Sequence, residues 1–429
     1  MIIGTGLGRL VIGAAAAASS LILASGTCAA APTSTPAATT AEFVDSSSVP
    51  ADQLAALGEP VPLARYSHGP EKPSPRTAHT TPSTTPEEDP GLEQECAKHS
   101  EADSPTGWIK NRFETCVHRH QDLVLRNTAG DRVLGRLIFD AWLLGFAYDG
   151  QRRVDYVAEV KDIKLATNGS EDGKKWSIRQ TFNRTLGSNS GPGGKVVDPA
   201  KQERDELLGD WDKSPSWTLT YTSPDGGPLY NQGNLQIVQA NVMLGMGVKS
   251  PTAPTRPWQE TDSGHSNVRF DYAGPVGGKY KGTVFVEARV ELVMKLSDPL
   301  VAQSARHIKD AQSNPERTFP SFVGKTVPGE KQPLHRLIDR PKQDTNRTAA
   351  IKTCEDVWGN YAGSGLECDE YPFSSTYEGA AAGGDSPTRR YSSRLIDAAD
   401  NKEGGTRILA VYTANRILDG DPFYVTITP

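Results

Sequence analysis

Alternating apolar and polar residues predict β-strands over most of residues 96–318. In "WTLTYTSPDGG", Trp217, Leu219 and Tyr221 alternate with threonines and run into a Pro-Asp-Gly-Gly turn. "DLVLRNTAGDRVLGRLIF" predicts a hairpin, "NVRFDYAG" predicts a strand, and the valine-rich residues 282–296 predict one long strand. Short strands separated by turns are typical of an antiparallel, sandwich-like domain.

The pattern changes after the Pro/Gly-rich connection "NPERTFPSFVGKTVPGEKQP". "DTNRTAAIKTCEDVWGN" predicts a helix with Asp344 or Asn346 near its start and Gly359 at its end. "GGTRILAVYTANRILDG" predicts a second helix that stops at Gly420, and "DPFYVTIT" predicts a final strand. Between the helices lies the acidic stretch "GLECDEYPFSSTYEGAA", which we expect to be a loop. The whole chain is therefore predicted to be of the α+β class.

The first ninety-five residues predict export rather than a folded domain. One early positive charge and a run of small and apolar residues ending in "TCAAAP" predict a signal peptide over residues 1–30. Residues 31–95 are rich in Ala, Pro, Thr and Ser, and such a composition buries too little apolar surface to fold, so we expect a disordered linker. No later segment is long and apolar enough to suggest a membrane span.

Four cysteines remain after the predicted signal peptide: Cys96, Cys116, Cys354 and Cys368. An even number in an exported protein indicates disulfides, and the two local pairs predict Cys96–Cys116 and Cys354–Cys368. Free buried thiols are the alternative. A zinc site is disfavoured because no histidine has ligand spacing to either pair.

The acidic stretch is the most informative segment for function. The simplest interpretation is a solvent-exposed loop without a functional role, in which proline and glycine shape the turn. A Cys354–Cys368 disulfide would instead hold Asp369 rigidly, and the aromatic residues Tyr371 and Phe373 suggest a packed segment. Rigid carboxylates beside a helix are ingredients of a metal-dependent hydrolytic site. The net charge of −6 means that any contact with nucleic acid must rest on a local basic patch and on metal ions.

"CDEYPFSSTYEGAA", followed by "RRYSSRL", by "DN" at 400–401, by a Gly-Gly helix start and by "LDGDPFYVTI", resembles the secreted NucA/NucB-type deoxyribonucleases of bacteria. The resemblance covers roughly the last hundred residues. It implies a small ββα-metal, His-Me-finger-like nuclease domain over residues 319–429. That superfamily usually uses a histidine base, whereas this family is similar with an aspartate instead, and residues 341–429 contain no histidine.

The resemblance implies a role for each matching residue. Asp369 would be the general base that takes a proton from the attacking water, and Glu370 belongs to the same motif core. Arg390 matches the arginine of the second strand, where it would grip the scissile phosphate with two hydrogen bonds.

A divalent cation, Mg²⁺ or Mn²⁺, is implied as cofactor. Asn401 and Glu378 match positions suited to hard cations, which prefer oxygen ligands. Tyr412 and Asn415 are both candidates for the helix residue that completes the metal site.

The sequence thus predicts a secreted, metal-dependent endonuclease that acts on DNA. A glycan hydrolase is one alternative, and it would need Asp369 paired with Glu378 because neighbouring side chains on an extended chain point apart. A surface-binding protein with an inactive nuclease-like domain is the other.

Overall fold

The computed structural model of the chain describes residues 41–66, 91–188, 190, 194–224, 237–272, 279–382 and 390–429. The predicted signal peptide lies outside these residues. The β-strands are β1 Ala41–Asp45, β2 Val61–Pro62, β3 Trp108–Ile109, β4 Glu114–Asn127, β5 Val133–Ala147, β6 Arg153–Thr167, β7 Ser177–Leu186, β8 Glu203–Leu207, β9 Ser216–Thr222, β10 Val238–Lys249, β11 Trp258–Tyr272, β12 Lys281–Phe285, β13 Glu291–Lys295, β14 Leu334–His335, β15 Leu366–Tyr371, β16 Ser392–Asp397 and β17 Pro422–Thr428. The helices are α1 Ala51–Leu57, α2 Leu63–Tyr66, α3 Leu92–Cys96, α4 Leu208–Lys213, α5 Ala302–Ser313, α6 Arg340–Trp358 and α7 Ala398–Ala414.

The described chain is a strand-rich α+β fold, in agreement with the predicted class. Its larger part consists of two antiparallel sheets. One has the order β1-β4-β5-β6-β2, with β3 beside β4 and β9 beside β6, and the other has the order β12-β11-β10-β7-β8. Both sheets contribute to one apolar core, which includes Leu137, Tyr156, Ile178, Val242 and Phe270. None of the helices in the described ranges is long and apolar enough to span a bilayer.

The linker prediction does not hold for residues 41–66. Strand β1 pairs antiparallel with β4, and Ala41 and Phe43 are buried in the sandwich core. The short alternation "AEFVD" adds one strand to an existing sheet edge, so it does not need a core of its own. The remainder of the predicted linker up to residue 90 lies outside the described residues.

The single strand predicted over residues 282–296 is two strands in different sheets. Strand β12 pairs with β11 in the sandwich, whereas β13 pairs in parallel with β17 near the end of the chain. Leu292 and Met294 of β13 and Ile308 of α5 share a core with Phe423 and Val425 of β17. The C-terminal core therefore begins near residue 290. The predicted boundary at 318/319 follows a Pro/Gly-rich connection that lies within this region.

The C-terminal helices begin earlier than their sequence patterns predict. Helix α6 is capped by Asp339, which accepts from the backbone N–H of Lys342, and it ends at Gly359 with φ of 74°. Helix α7 is capped by Asp397 and starts before the Gly-Gly pair, so Asn401 lies in its first turn rather than in a preceding turn.

Both predicted disulfides are present. Cys96 joins Cys116 in the sandwich, and Cys354 of α6 joins Cys368 of β15.

The sandwich meets the C-terminal region through buried charges. Arg416, fully buried, donates to Asp149 at 2.5 Å and to Asp271, and Arg269 donates to Asp421 at 2.6 Å. Buried ion pairs are costly to break because the remaining charge is left without a partner. These pairs therefore hold one particular arrangement of the two regions.

Because β13 and α5 complete the C-terminal core, a fragment of residues 319–429 should not fold cooperatively. Deleting Leu292, Met294 and Ile308 alone removes roughly 5–9 kcal/mol of apolar burial, a large share of the roughly 5–15 kcal/mol typical of a domain. Thermal unfolding followed by circular dichroism checks this expectation. A fragment of residues 286–429 is the matched control, since both fragments lack the sandwich carboxylates that pair with Arg416. Equal unfolding midpoints in the two fragments would contradict the proposed start of the core.

Candidate active site

A cleft of about 870 Å³ lies between helices α6 and α7, and strand β15 forms its floor. The α6 wall is a stripe with helical spacing: Arg340, Gln343, Arg347 and Ile351. The α7 wall includes Asn401, Lys402, Gly405, Ile408 and Tyr412. The floor contains Glu367, Cys368, Asp369 and Glu370. The cleft thus has an acidic floor and cationic side chains on both walls.

Alternation along β15 sends its acids toward different helices. Glu367 accepts a hydrogen bond from Asn401 of α7 at 2.9 Å, and Tyr371 packs in the core with Ile408 of α7. Asp369 is two residues from each of them and therefore lies on the same face of the strand. Cys368 is bonded to Cys354 of α6, so the other face of the strand, which carries Glu370, is turned toward α6. The acidic residues expected in a loop therefore lie on a strand, which fixes their directions.

Asp369 is only 8% exposed, and its carboxylate is hydrogen-bonded to a histidine. Its Oδ2 lies 2.7 Å from Nδ1 of His307, and Nε2 of His307 lies 2.7 Å from Oγ of Ser392. His307 could not be linked to Asp369 from the sequence, because it lies 62 residues earlier and outside the region of the family resemblance. A signal was present, since His307 is the one ionisable residue on the buried face of α5, which otherwise consists of Ser304, Ala305, Ile308 and Ala311.

Glu370 is held in an environment that disfavours its charge. Burial is the largest cause and raises its pKa to about 7, while hydrogen bonds from Ser374 and the nearby Arg347 act in the opposite direction. Its Oε2 is buried without a hydrogen-bond partner. Glu370 therefore changes protonation state close to neutral pH.

The two candidate helix residues lie in different places. Tyr412 lines the cleft, where its hydroxyl is 3.0 Å from Oγ of Ser375. Asn415 is the C-cap of α7 and donates to the carbonyl of Val411 at 3.1 Å. It is absent from the lining of the cleft among the described residues. Of the two, only Tyr412 is in position to act in the site.

Glu378 is not with the other acids. Its Oε1 is 2.7 Å from Nδ1 of His335, and its Oε2 accepts from the backbone N–H of His335 at 2.9 Å. It does not contribute to the described lining of the cleft, so the expected metal ligand is instead a residue that fastens the loop after β15 to β14. The spacing of a motif does not specify the direction of a side chain in a loop.

The same loop is also held by Asn346 of α6. Its amide group donates to the carbonyl oxygens of Ser374 and Thr376 and accepts from the backbone N–H of Ala381. A side chain at Gly379 would collide with Asn346. The "EGAA" part of the motif thus shapes the loop rather than the reacting centre.

Arg390 is exposed and lies two residues before β16, not within the strand. It is not one of the described residues that line the cleft. The strand arginine is Arg394, whose Nη2 donates to Asp310 at 2.8 Å. The arginines that do line the cleft are Arg336, Arg340 and Arg347, none of which was predicted from the sequence.

Residues 330–426 match the family model of deoxyribonuclease NucA/NucB. The C-terminal region is a NucA/NucB-type nuclease domain. The matched part is less than a quarter of the chain, and it contains α6, β15, β16 and α7, which build the cleft. The resemblance seen in the sequence is thereby confirmed, and it supports deoxyribonuclease activity. A search of curated proteins finds no match to the chain.

Burial of Glu370 in the nuclease domain should make stability depend on pH. The pKa of Glu370 in the folded chain, about 7, lies above the ordinary value of 4.5. The contribution of Glu370 to the free energy of unfolding is therefore full below pH 4.5 and is lost as the pH rises through about 7. The glutamine of Glu370→Gln stays neutral at every pH. The free energy of unfolding of this variant should therefore exceed that of the wild type by about 1–3 kcal/mol at pH 8. The difference should vanish near pH 4.5.

Urea unfolding at the two pH values measures this difference. Glu355→Gln, at an exposed position of α6, controls for the loss of one negative charge. A Glu370→Gln advantage that is the same at both pH values would contradict the assignment.

Proposed function

We propose that this protein is an exported, divalent-metal-dependent endonuclease that hydrolyses phosphodiester bonds of DNA in the cleft between α6 and α7. One observation carries the proposal. Within the region that matches the nuclease family, a carboxylate floor faces a helix stripe that bears Arg340 and Arg347. Hydrolysis of a phosphodiester needs cations that bind the phosphate. It also needs a nearby group, such as a carboxylate, that can accept a proton.

The order of the elements supports a ββα-metal arrangement. Strands β15 and β16 form an antiparallel hairpin, and α7 follows β16 directly. The cleft acid Asp369 comes from the first strand and Asn401 comes from the helix. A hairpin and a helix that converge on one site are the unit that the family resemblance implies.

Asp369 is proposed as the general base. It lines the cleft, and its hydrogen bond to His307 uses Oδ2, which leaves Oδ1 for a water molecule in the cleft. A carboxylate in hydrogen-bond reach of the attacking water can take its proton as the phosphorus–oxygen bond forms. His307 does not line the cleft among the described residues, so it does not compete for this role.

The residues around Asp369 fit a hard divalent cation. Glu367 offers a carboxylate, and Asn401 uses its amide nitrogen toward Glu367, so its carbonyl oxygen remains available. No three His, Cys, Asp or Glu side chains of the described ranges converge into a complete metal site. Such a partial oxygen set suits Mg²⁺, which usually keeps waters and is held by one or two carboxylates plus substrate phosphate.

When bound there, the ion would neutralise charge on the phosphate and on the leaving oxygen. Glu367 and Asn401 replace the predicted pair of Asn401 and Glu378 in this proposal. Glu370, with a pKa of about 7, is suited to give a proton to the leaving oxygen.

Arg340, Arg347 and Lys402 are proposed to bind DNA phosphates. All three are exposed, and they project from the two walls of the cleft. A local basic rim of this kind is what an acidic protein needs in order to approach a polyanion. In this proposal they replace Arg390 as the residues that bind phosphate.

The alternatives receive less support. A glycosidase pair of Asp369 and Glu378 would need both acids in one cleft, whereas Glu378 is paired with His335. A protein with an inactive nuclease-like domain would lack its base, whereas Asp369 is present on the cleft floor. The two disulfides suit an oxidising compartment and thus support export.

The base assignment predicts that Asp369→Asn cuts supercoiled plasmid DNA about 10²- to 10⁴-fold more slowly than the wild type. The substitution keeps the shape of the side chain and removes the proton acceptor. EDTA should abolish cutting by the wild-type chain, and Mg²⁺ or Mn²⁺ should restore it. Affinity for Mn²⁺, measured by titration calorimetry, should change little in Asp369→Asn. Near-normal cutting by this variant, or a loss explained wholly by absent metal, would refute the base role.

The phosphate assignment is tested with two arginines of the same domain. Arg347→Ala should lower kcat/KM for plasmid DNA by about 10- to 100-fold, because a charge-assisted hydrogen bond to phosphate is lost. Arg390→Ala should change kcat/KM little, because Arg390 lies outside the described lining of the cleft. The reverse ranking in a nicking assay would restore Arg390 as the phosphate-binding residue.

A further inference from the structure

Three side chains from three elements form a continuous hydrogen-bonded series behind the floor of the cleft. Oγ of Ser392 in β16 lies 2.7 Å from Nε2 of His307 in α5, and Nδ1 of His307 lies 2.7 Å from Oδ2 of Asp369 in β15. Helix α5 lies before the residues that match the nuclease family. His307 is therefore supplied by a part of the chain outside the matched region.

The connectivity is that of a Ser-His-Asp hydrolase triad, but its burial is reversed. Ser392 and His307 are fully buried, whereas Asp369 reaches the cleft. A serine nucleophile must meet its substrate, so Ser392 cannot act as one. The end of the series that meets the substrate is the carboxylate.

The contact with Asp369 places a proton on one ring nitrogen of His307. Asp369 as a carboxylate only accepts hydrogen bonds, so the contact at 2.7 Å requires a proton on Nδ1 of His307. The hydroxyl of Ser392 can donate to Nε2 or accept from it, so both ring nitrogens have a hydrogen-bond partner. A buried ring with both nitrogens bonded has one orientation, and it transmits that orientation to the carboxylate.

We propose that His307 is a positioning residue that holds Oδ2 of Asp369 so that Oδ1 is directed into the cleft. This inference rests on the proposed role of Asp369 as the base. A carboxylate without this donor could rotate about its Cβ–Cγ bond and would spend less time aligned with the attacking water. Partners that orient a reacting group from behind affect turnover more than substrate binding.

Two amide substitutions at position 307 separate positioning from packing. In His307→Asn, the amide nitrogen lies near the place of Nδ1, so a donor to Asp369 is kept and the contact with Ser392 is lost. In His307→Gln, the amide reaches toward Ser392 and the donor to Asp369 is lost. Each variant loses one buried hydrogen bond, so both should lower the unfolding midpoint to a similar extent.

Turnover of plasmid DNA in Mg²⁺ should differ between the two variants. We expect His307→Gln to lose about 10- to 100-fold in kcat with little change in KM, and His307→Asn to stay within about 10-fold of the wild type. The contrary result is that the two variants lose kcat equally, in proportion to their lowered unfolding midpoints. That result would mean that His307 contributes only packing, and it would overturn the inference.

Imidazole ¹⁵N NMR of the full chain gives a readout that does not depend on activity. His307 should carry its proton on Nδ1, and this ¹⁵N signal should move in Asp369→Asn. A proton on Nε2 alone, or an Nδ1 signal that is unchanged in Asp369→Asn, would overturn the inference even if the wild-type chain cuts DNA. A wild-type chain that does not cut DNA while the Nδ1–H contact is observed would refute the proposed function and leave the contact established.

Discussion

The hydrogen bond between His307 and Asp369 joins two parts of the chain that are 62 residues apart in sequence, and the candidate site depends on it. Helix α5 must lie against β15 before the bond can form. That position is set by the core in which α5 and β13 pack against α7 and β17. The contact between α5 and α7 is reinforced by Asp400 of α7. Its carboxylate accepts hydrogen bonds from the backbone N–H groups of Gln303 and Ser304 at the start of α5. The orientation of one carboxylate thus follows from the packing of an entire small domain.

Features with a short-range cause could be predicted from the sequence. Alternation predicted the strands of the sandwich, and local cysteine spacing predicted both disulfides. The motif around Cys368 and Asp369 identified the nuclease domain, because a cysteine, two acids and a proline in that order are specific. These features need only the nearest residues or a closed loop of modest length.

Features that depend on distant partners could not be predicted. The valine-rich residues 282–296 give no sign that the chain passes from one sheet to another, because both strands carry buried residues within the same run: β12 is buried almost continuously and β13 at alternate positions. Arg340 fell before the predicted helix start, so its alignment with Arg347 on one face of α6 was not visible. Glu378 fitted a motif position, but its direction is determined by His335 across the loop. In each case the partner is chosen by tertiary packing.

The junction between the sandwich and the nuclease domain adds a second, different constraint. Apolar packing tolerates small shifts, whereas the buried guanidinium of Arg416 must meet Asp149 and Asp271 at hydrogen-bond distance. Arg416 adopts φ of 47°, a conformation that favours glycine, and a side chain at Gly282 would collide with its guanidinium. A strained backbone and a required glycine persist only where the surrounding contacts over-determine them. Since β12 of the sandwich leads directly into β13 of the nuclease core, this junction also fixes where β13 and then α5 begin. Helix α5 and its His307 therefore follow this junction along the chain, although the sandwich contributes no residue to the described lining of the cleft.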